Sequence, residues 1–392
     1  MKKKLLVLTS TFPRWKNDTI PPFVYELSKR LTNHFEVYIL TPHYPESKKF
    51  EIMHNMHVYR FRYFIEKYEK LANHLGMLPI LRKNRLFYFE VPFFLIAELI
   101  YLNKLVKKIK PDIIHAHWIV PQGFVAALTN KFTRTPYIIT SHGGDSFGLQ
   151  SKLLKIVKKF SLKNAKSITV VSTAIKKELR KLDKTLKIDI IPMGVDSNLF
   201  NPNKRDESIK SKYNIEGPFL LFVGRLTYKK GVSYLIEAMP LVLKKFPNAK
   251  LLIIGNGILE NELMQLTKSL KLEKNVVFTG PIQNKELPRY YATADIFVGP
   301  SIIDERGDAE GLPVTLMEAL ASGCFVVTTD LEGNRDIIKD GKNGFLVEER
   351  NPTKLAEKIL FRIYNKKIRN LKKTRRFEWK EISNRYCNVL IK

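Results

Sequence analysis

Residues 220–255 open on the apolar run Leu220-Leu-Phe-Val-Gly224, pass through the polar loop Arg225-Leu-Thr-Tyr-Lys-Lys-Gly231, and close on the apolar run Leu251-Leu-Ile-Ile-Gly255. Each run is continuously apolar rather than alternating, as a strand covered on both faces requires. Between the loop and the second run, residues 232–246 carry apolar side chains at helical spacing. Strand, helix, strand in that order is the unit of a parallel sheet. The alternation continues downstream, with strands expected at 276–279, 296–298 and 325–328 and helices at 260–270, 285–294, 316–321 and 354–362. It also runs upstream, with strands at 5–9, 36–40, 58–61, 113–117, 137–141, 168–171 and 188–191 and helices at 23–31, 94–109, 123–131, 153–163 and 173–182. The two series are divided by Ile191-Pro-Met-Gly-Val-Asp-Ser-Asn-Leu-Phe-Asn-Pro202, which is rich in turn formers. The expected class is therefore α/β, with two Rossmann-like doubly wound domains. Ligands of such sheets bind outside the carboxyl ends of the strands, so chemistry is expected in the loops there, facing a cleft.

Composition narrows the function. A chain of 392 residues with 44% hydrophobic content can bury two sizeable cores. Two isolated cysteines, Cys324 and Cys387, signal neither a disulfide framework nor a zinc site. The apolar run at 5–8 is too short for a signal peptide and reads as a first strand. The stretch 91–106 is interrupted by Glu98 and Asn103 and reads as too short to span a bilayer, which leaves a cytoplasmic protein peripheral on the inner face of a membrane as the expectation. The net charge of +29 attracts polyanions in general, and a lysine-rich proteome is the plain alternative. The first strand is followed by Ser10-Thr11-Phe12-Pro13 rather than a glycine-rich fingerprint, which argues against a standard dinucleotide site. The chain contains no GxxxxGK[ST] and no HExxH.

Three loops carry chemistry. In Arg225-Leu-Thr-Tyr-Lys-Lys-Gly231, Arg225 and Lys230 precede a helix start, where cations and backbone N–H groups both favour phosphate. A solvated basic turn is the ordinary alternative. In Glu310-Gly-Leu-Pro-Val-Thr-Leu-Met-Glu318, Gly311 permits close backbone approach and Pro313 suits a first helical turn. Either carboxylate can accept from two vicinal hydroxyls, although helix-start acidity alone rewards the same residues. In Thr140-Ser-His-Gly-Gly-Asp145, His142 begins a loop after a strand, and Gly143 leaves room for a ligand.

Taken together, these stretches resemble retaining glycosyltransferases of the GT-B fold, family 4 type. The segments His115-Ala-His-Trp118, Pro121-Gln-Gly123, Ile191–Asp196 and Gly341–Val347 resemble the same family, so the likeness covers nearly the whole chain. It implies a GT-B arrangement of an acceptor-side domain at 1–198, completed by 377–392, and a nucleotide-sugar domain at 199–376. It implies that Arg225 and Lys230 hold a donor diphosphate, that Glu310 and His142 lie beside the donor sugar, and that Glu318 binds ribose. Gly311, Leu312 and Pro313 would offer backbone to sugar and phosphate, Ile282 would lie near the base, and Gly143 and Asp145 would bind substrate from the first-domain loop. No metal and no cofactor are implied. The loop Asn17-Asp-Thr-Ile-Pro-Pro22 and Met193 depart from the family pattern.

The implied reaction moves a hexose from a UDP- or GDP-sugar to an acceptor hydroxyl. The acceptor would be a sugar or a lipid-linked, membrane-proximal molecule. Basic and aromatic residues at 59–94 and 362–376 are expected to meet an anionic membrane surface. The competing readings are an epimerase or phosphorylase of the same fold, or a non-catalytic polyanion binder; no specific nucleic-acid motif is present.

Overall fold

The computed structural model describes residues 2–15, 18, 22–72, 77–365 and 375–391. It divides into a unit of Met1–Met193 with Trp379–Lys392 and a unit of Gly194–Glu378. In the first, β1 (Lys3–Leu8), β2 (Phe35–Pro42), β3 (Phe50–Met53), β4 (Met56–Phe61), β5 (Ile113–His117), β6 (Tyr137–Ser141), β7 (Ser167–Val170) and β8 (Ile188–Ile190) form one sheet. Its order is β3-β4-β2-β1-β5-β6-β7-β8. Every pairing is parallel except the β3–β4 hairpin. That hairpin was not expected from sequence. His54 and Asn55 turn it with φ of 47° and 62°, the left-handed pair that a tight hairpin needs, without the glycine that usually announces one.

The crossovers from β4 to β5, β5 to β6 and β6 to β7 run in one direction and carry the helices Glu90–Ile109, Phe124–Thr133 and Lys152–Lys163. Right-handed crossovers therefore place these three on one face of the sheet. Asn103 donates to Thr129 Oγ1 at 3.3 Å, and the Lys131 ammonium sits 4.9 Å above the Phe160 ring, which ties the layer together. Phe23–Leu31 crosses the other way and lies on the opposite face. Trp379–Ile391 packs beside it, with the Arg30 guanidinium 5.3 Å from the Trp379 ring.

The helix at 90–109 begins a turn earlier than expected. With its lead-in from Arg85 it is long and apolar enough, by length and composition, to cross a membrane, which corrects the expectation that this stretch is too short. Its place in a crossover is that of a domain helix. Phe94, Glu98, Leu102, Leu105 and Ile109 form its buried stripe. Burial pushes the Glu98 carboxyl up to about 8, against a hydrogen bond from Gln122 Nε2 at 3.0 Å. The protonated, neutral form is thus the one the core holds. Of the aromatic residues expected on a membrane surface, Phe61 and Tyr63 are core residues instead, closed in by Phe94.

The second unit is an all-parallel sheet of order β11-β10-β9-β12-β13-β14, formed by β9 (Phe219–Val223), β10 (Lys250–Ile254), β11 (Val276–Gly280), β12 (Ile296–Gly299), β13 (Phe325–Thr329) and β14 (Phe345–Val347). Leu220, Phe222, Leu251, Ile253, Val298 and Val327 anchor its core, against helices that include Val232–Leu243 and Pro352–Tyr364. The chain leaves and re-enters this unit along adjacent strands of backbone, where Val195 N–H donates to Phe377 C=O at 2.7 Å. Beyond that point the terminal helix returns to the first unit. There Tyr386 is fully buried, its hydroxyl donates to Ile191 C=O at 3.2 Å, and its ring lies 5.5 Å from His115. Tyr386→Ala should cost about 3–5 kcal/mol in chemical denaturation, as loss of a buried aromatic ring does. A cost under about 1 kcal/mol would show that the terminal helix is only loosely docked.

Candidate active site

The polar groups of the second unit converge at the carboxyl ends of β9 and β12. The loop after β9 carries Arg225, then a tight turn Tyr228–Lys230, then Gly231 before the helix Val232–Leu243. Gly231 has φ of 60°, and a Cβ there would stand 2.1 Å from Pro300 C=O, so only glycine lets the turn sit against the loop that follows β12. The same two loops are joined where Ile302 N–H donates to Lys229 C=O at 2.9 Å. This clamp brings the ammonium groups to Glu310. Lys230 Nζ is 3.1 Å from Glu310 Oε2 and Lys229 Nζ 3.8 Å from Oε1, while Lys229 also lies 3.3 Å from Asp308 Oδ1. Burial alone would raise the Glu310 pKa. Lys230 and Lys229, helped by Arg225, outweigh it and hold the group down at about 2. Glu310 is therefore an anion at any physiological pH.

Gly311, Leu312 and Pro313 are buried and lead into the helix Val314–Ala321. Pro313 caps that helix from just outside rather than filling its first turn. Their backbone is held from behind, since a Cβ on Gly333 would come within 2.7 Å of Gly311 C=O. Glu318 sits on this helix and accepts from the Tyr291 hydroxyl at 2.9 Å. Burial pushes its carboxyl up to about 7, against the Tyr291 hydrogen bond and the Lys230 charge. The two glutamates of the motif thus have opposite characters: Glu310 is fixed as a carboxylate, while Glu318 titrates near neutrality. Ile282 follows β11 and, with Thr279, Tyr213 and Tyr290, lines a cavity of about 340 Å³ that none of Arg225, Lys230, Glu310 and Glu318 lines.

The first unit presents a second cluster, where β5 and β6 end. His117 Nδ1 and His142 Nε2 lie 2.9 Å apart, so one ring donates to the other. Phe23 and Trp118 flank the His142 ring at 5.0 and 4.9 Å. Burial, with His115 nearby, drives the His142 pKa down, so the ring is neutral at physiological pH and serves as a hydrogen-bonding group rather than a cation. Gly143 has φ of 117°, which turns the chain sharply after His142. Asp145, expected to bind substrate, has intramolecular partners. Its buried carboxylate accepts from Ile119 N–H at 2.7 Å, Ser141 Oγ at 2.9 Å and Gly143 N–H at 3.1 Å, which spends it on bracing the loop.

Several residues of these clusters escaped the sequence reading. Lys229 joins its neighbour Lys230 at Glu310, as a two-lysine turn before glycine allows. Asp308 and Tyr291 carry no local signal, because their partners are distant in sequence, and His117 is marked only as part of the His115–Trp118 segment. Trp118 holds φ of 75°, unusual for a bulky residue and of the kind concentrated at functional loops. Asn17, Thr19, Ile20 and Pro21 lie outside the described residues, as does most of the basic stretch 362–376.

The sequence profile of the family described as Glycosyl transferases group 1 matches residues 203–377, and that of Glycosyltransferase Family 4 matches 22–199. The chain is 31% identical over 327 residues to an uncharacterized glycosyltransferase of Methanocaldococcus jannaschii, covering 76% of this chain and 81% of that protein. Its fold is similar to that of sucrose-phosphate synthase from Thermosynechococcus elongatus, with a TM-score of 0.78 at 20% identity over 99% of this chain and 98% of that one. It is also similar to Anabaena HepE in complex with UDP-glucose, with a TM-score of 0.75 at 18% identity over 99% of each chain. Profile, relative and fold agree: the chain belongs to the group 1 glycosyl transferases and is a glycosyltransferase of the GT-B fold.

Proposed function

We propose that this glycosyltransferase moves a hexose from a UDP- or GDP-linked donor to an acceptor hydroxyl, with retention of configuration and without a metal ion. The observation that carries the reading is the half-buried group of Lys230, Lys229 and Arg225 around Glu310. Cations placed there suit a diphosphate, and they stabilise the charge it gains as the sugar departs. A carboxylate fixed as an anion beside them suits the positive charge that develops on the sugar ring. Glu318, on the adjoining helix, suits a pair of ribose hydroxyls. A bound UDP-glucose in Anabaena HepE fits such a donor. The departing phosphate oxygen can take the acceptor's proton on the face it leaves, which accounts for retention. The two cysteines are buried free thiols, which fits a cytoplasmic enzyme.

Glu310→Gln keeps shape and removes charge, so it should lower kcat by roughly 10²–10³ with little change in donor KM. Glu318→Gln should instead raise donor KM, because ribose contacts are equal in ground and transition states. A coupled assay of nucleoside diphosphate release, with the anomer of the product read by NMR, measures both. Full turnover in both folded variants would remove the two glutamates from the mechanism, and product isomerised on the nucleotide would favour an epimerase.

The Glu318 pKa adds a pH dependence. Accepting two hydroxyls needs the ionised form, and the raised value near 7 leaves that form in the minority below neutrality. Donor affinity should therefore rise by up to about tenfold between pH 6 and pH 8, and Glu318→Gln should flatten the profile. An unchanged slope in the variant would assign the titration elsewhere.

A further inference from the structure

The helices at 90–109, 124–133 and 152–163 share one face of the first unit's sheet, and their outward surface has a one-sided chemistry. On the first helix, Phe93, Ile96 and Ile100 are exposed, and the same stripe continues into Lys104 and Lys107. On the third, Leu153 and Ile156 are 69% and 65% exposed, in line with Lys159. Eight lysines are exposed on the three helices: three on the first, one on the second, four on the third. Their only carboxylates, Glu90 and Glu98, are buried. A solvated helix face ordinarily mixes charges of both signs and does not expose isoleucine and phenylalanine in rows.

We infer that this face docks the protein onto an anionic lipid surface. Large apolar side chains at helical spacing can enter the acyl boundary to a depth of about 5–10 Å. Lysines beside them on the same faces meet phosphate headgroups, and the absence of an exposed carboxylate removes the repulsion that would oppose contact. The charge decides between occupants. A second copy of the chain would oppose this face to itself, lysine against lysine, in a two-fold interface. A nucleic acid would use the lysines and leave the apolar rows in water. The surface extends over helices beyond the stretches 59–94 and 362–376 to which sequence pointed, because the third helix hides its exposed leucine and isoleucine in an ordinary amphipathic pattern. It rests on none of the donor-site residues. Docking would present a lipid-linked hydroxyl to the enzyme, and that consequence alone depends on the transferase reading above.

Sedimentation of the full chain with large vesicles tests the inference, using phosphatidylcholine alone and phosphatidylcholine with phosphatidylglycerol. Binding is expected to the anionic vesicles only, and to weaken at high salt. Ile96→Ser/Ile100→Ser and Leu153→Ser/Ile156→Ser change exposed positions, so a thermal melt should find both variants folded. Each should weaken binding to anionic vesicles by about tenfold or more. Lys155→Glu/Lys159→Glu should do the same, while UDP- or GDP-sugar binding by calorimetry stays unchanged in all three. Equal binding to both vesicle types, or full vesicle binding by the serine variants, would overturn the inference. A dimer in light scattering that the serine variants abolish, or DNA binding with no vesicle binding, would also overturn it. Loss of donor binding in the wild type would count against the donor reading and leave the vesicle result intact.

Discussion

A carboxylate and two ammonium groups are held together in a place largely closed to water, and the second unit is arranged around that constraint. Glu310 and Lys230 are each about nine-tenths buried, with Lys229 between Glu310 and Asp308. Desolvating such charges is costly, and a buried ion pair seldom stabilises a fold more than apolar side chains of the same volume would. Its presence here follows from what the site must do. An anionic donor needs cations, and cations held in place before the donor arrives need a partner that keeps them there.

The backbone does the holding. The turn before Gly231 rests on Pro300, the loop after β12 is hydrogen-bonded to Lys229, and Gly333 supports the peptide after Glu310. The contacts of Gly231 and Gly333 are ones that a Cβ would forbid, so these glycines and the Ile302–Lys229 hydrogen bond set the distance between the loops, and the loops set the charges. In the first unit, Asp145 plays a comparable part: three hydrogen bonds to one carboxylate fix the loop that presents His142. The charged groups of one unit and the neutral imidazoles of the other are thus both fixed by short loops at the carboxyl ends of parallel strands.

Much of this was legible in the sequence. Continuous apolar runs such as 220–223 and 251–254 lie within β9 and β10, since a strand buried on both faces leaves no alternation to misread. The helices at 23–31 and 173–182 match the helical periodicity of their sequence. Glu310, Glu318, Arg225 and Lys230 could be read because their spacing is local. What sequence did not give depends on contacts across the fold. Tyr291 reaches Glu318 from another helix, and Asp308 matters only because Lys229 is brought to it. Phe61 and Phe93 are equally apolar in sequence, yet only the fold separates the core residue from the exposed one. The hairpin at His54–Asn55 lacked the glycine signal, and Asp145 looked available for substrate because its three donors are backbone and serine groups.

The pairing of Lys230 with Glu310 implies a competition. In the free enzyme the carboxylate occupies the ammonium that a diphosphate would use. Calorimetry of UDP and GDP binding to the full chain, with EDTA present, tests this directly. The account predicts that Lys230→Ala weakens diphosphate binding by about ten- to a hundredfold, the scale of a lost charge-assisted hydrogen bond. It predicts that Glu310→Gln leaves binding unchanged or tightens it, because the competitor has gone. Binding that weakens as much in Glu310→Gln as in Lys230→Ala, or that survives Lys230→Ala intact, would contradict it.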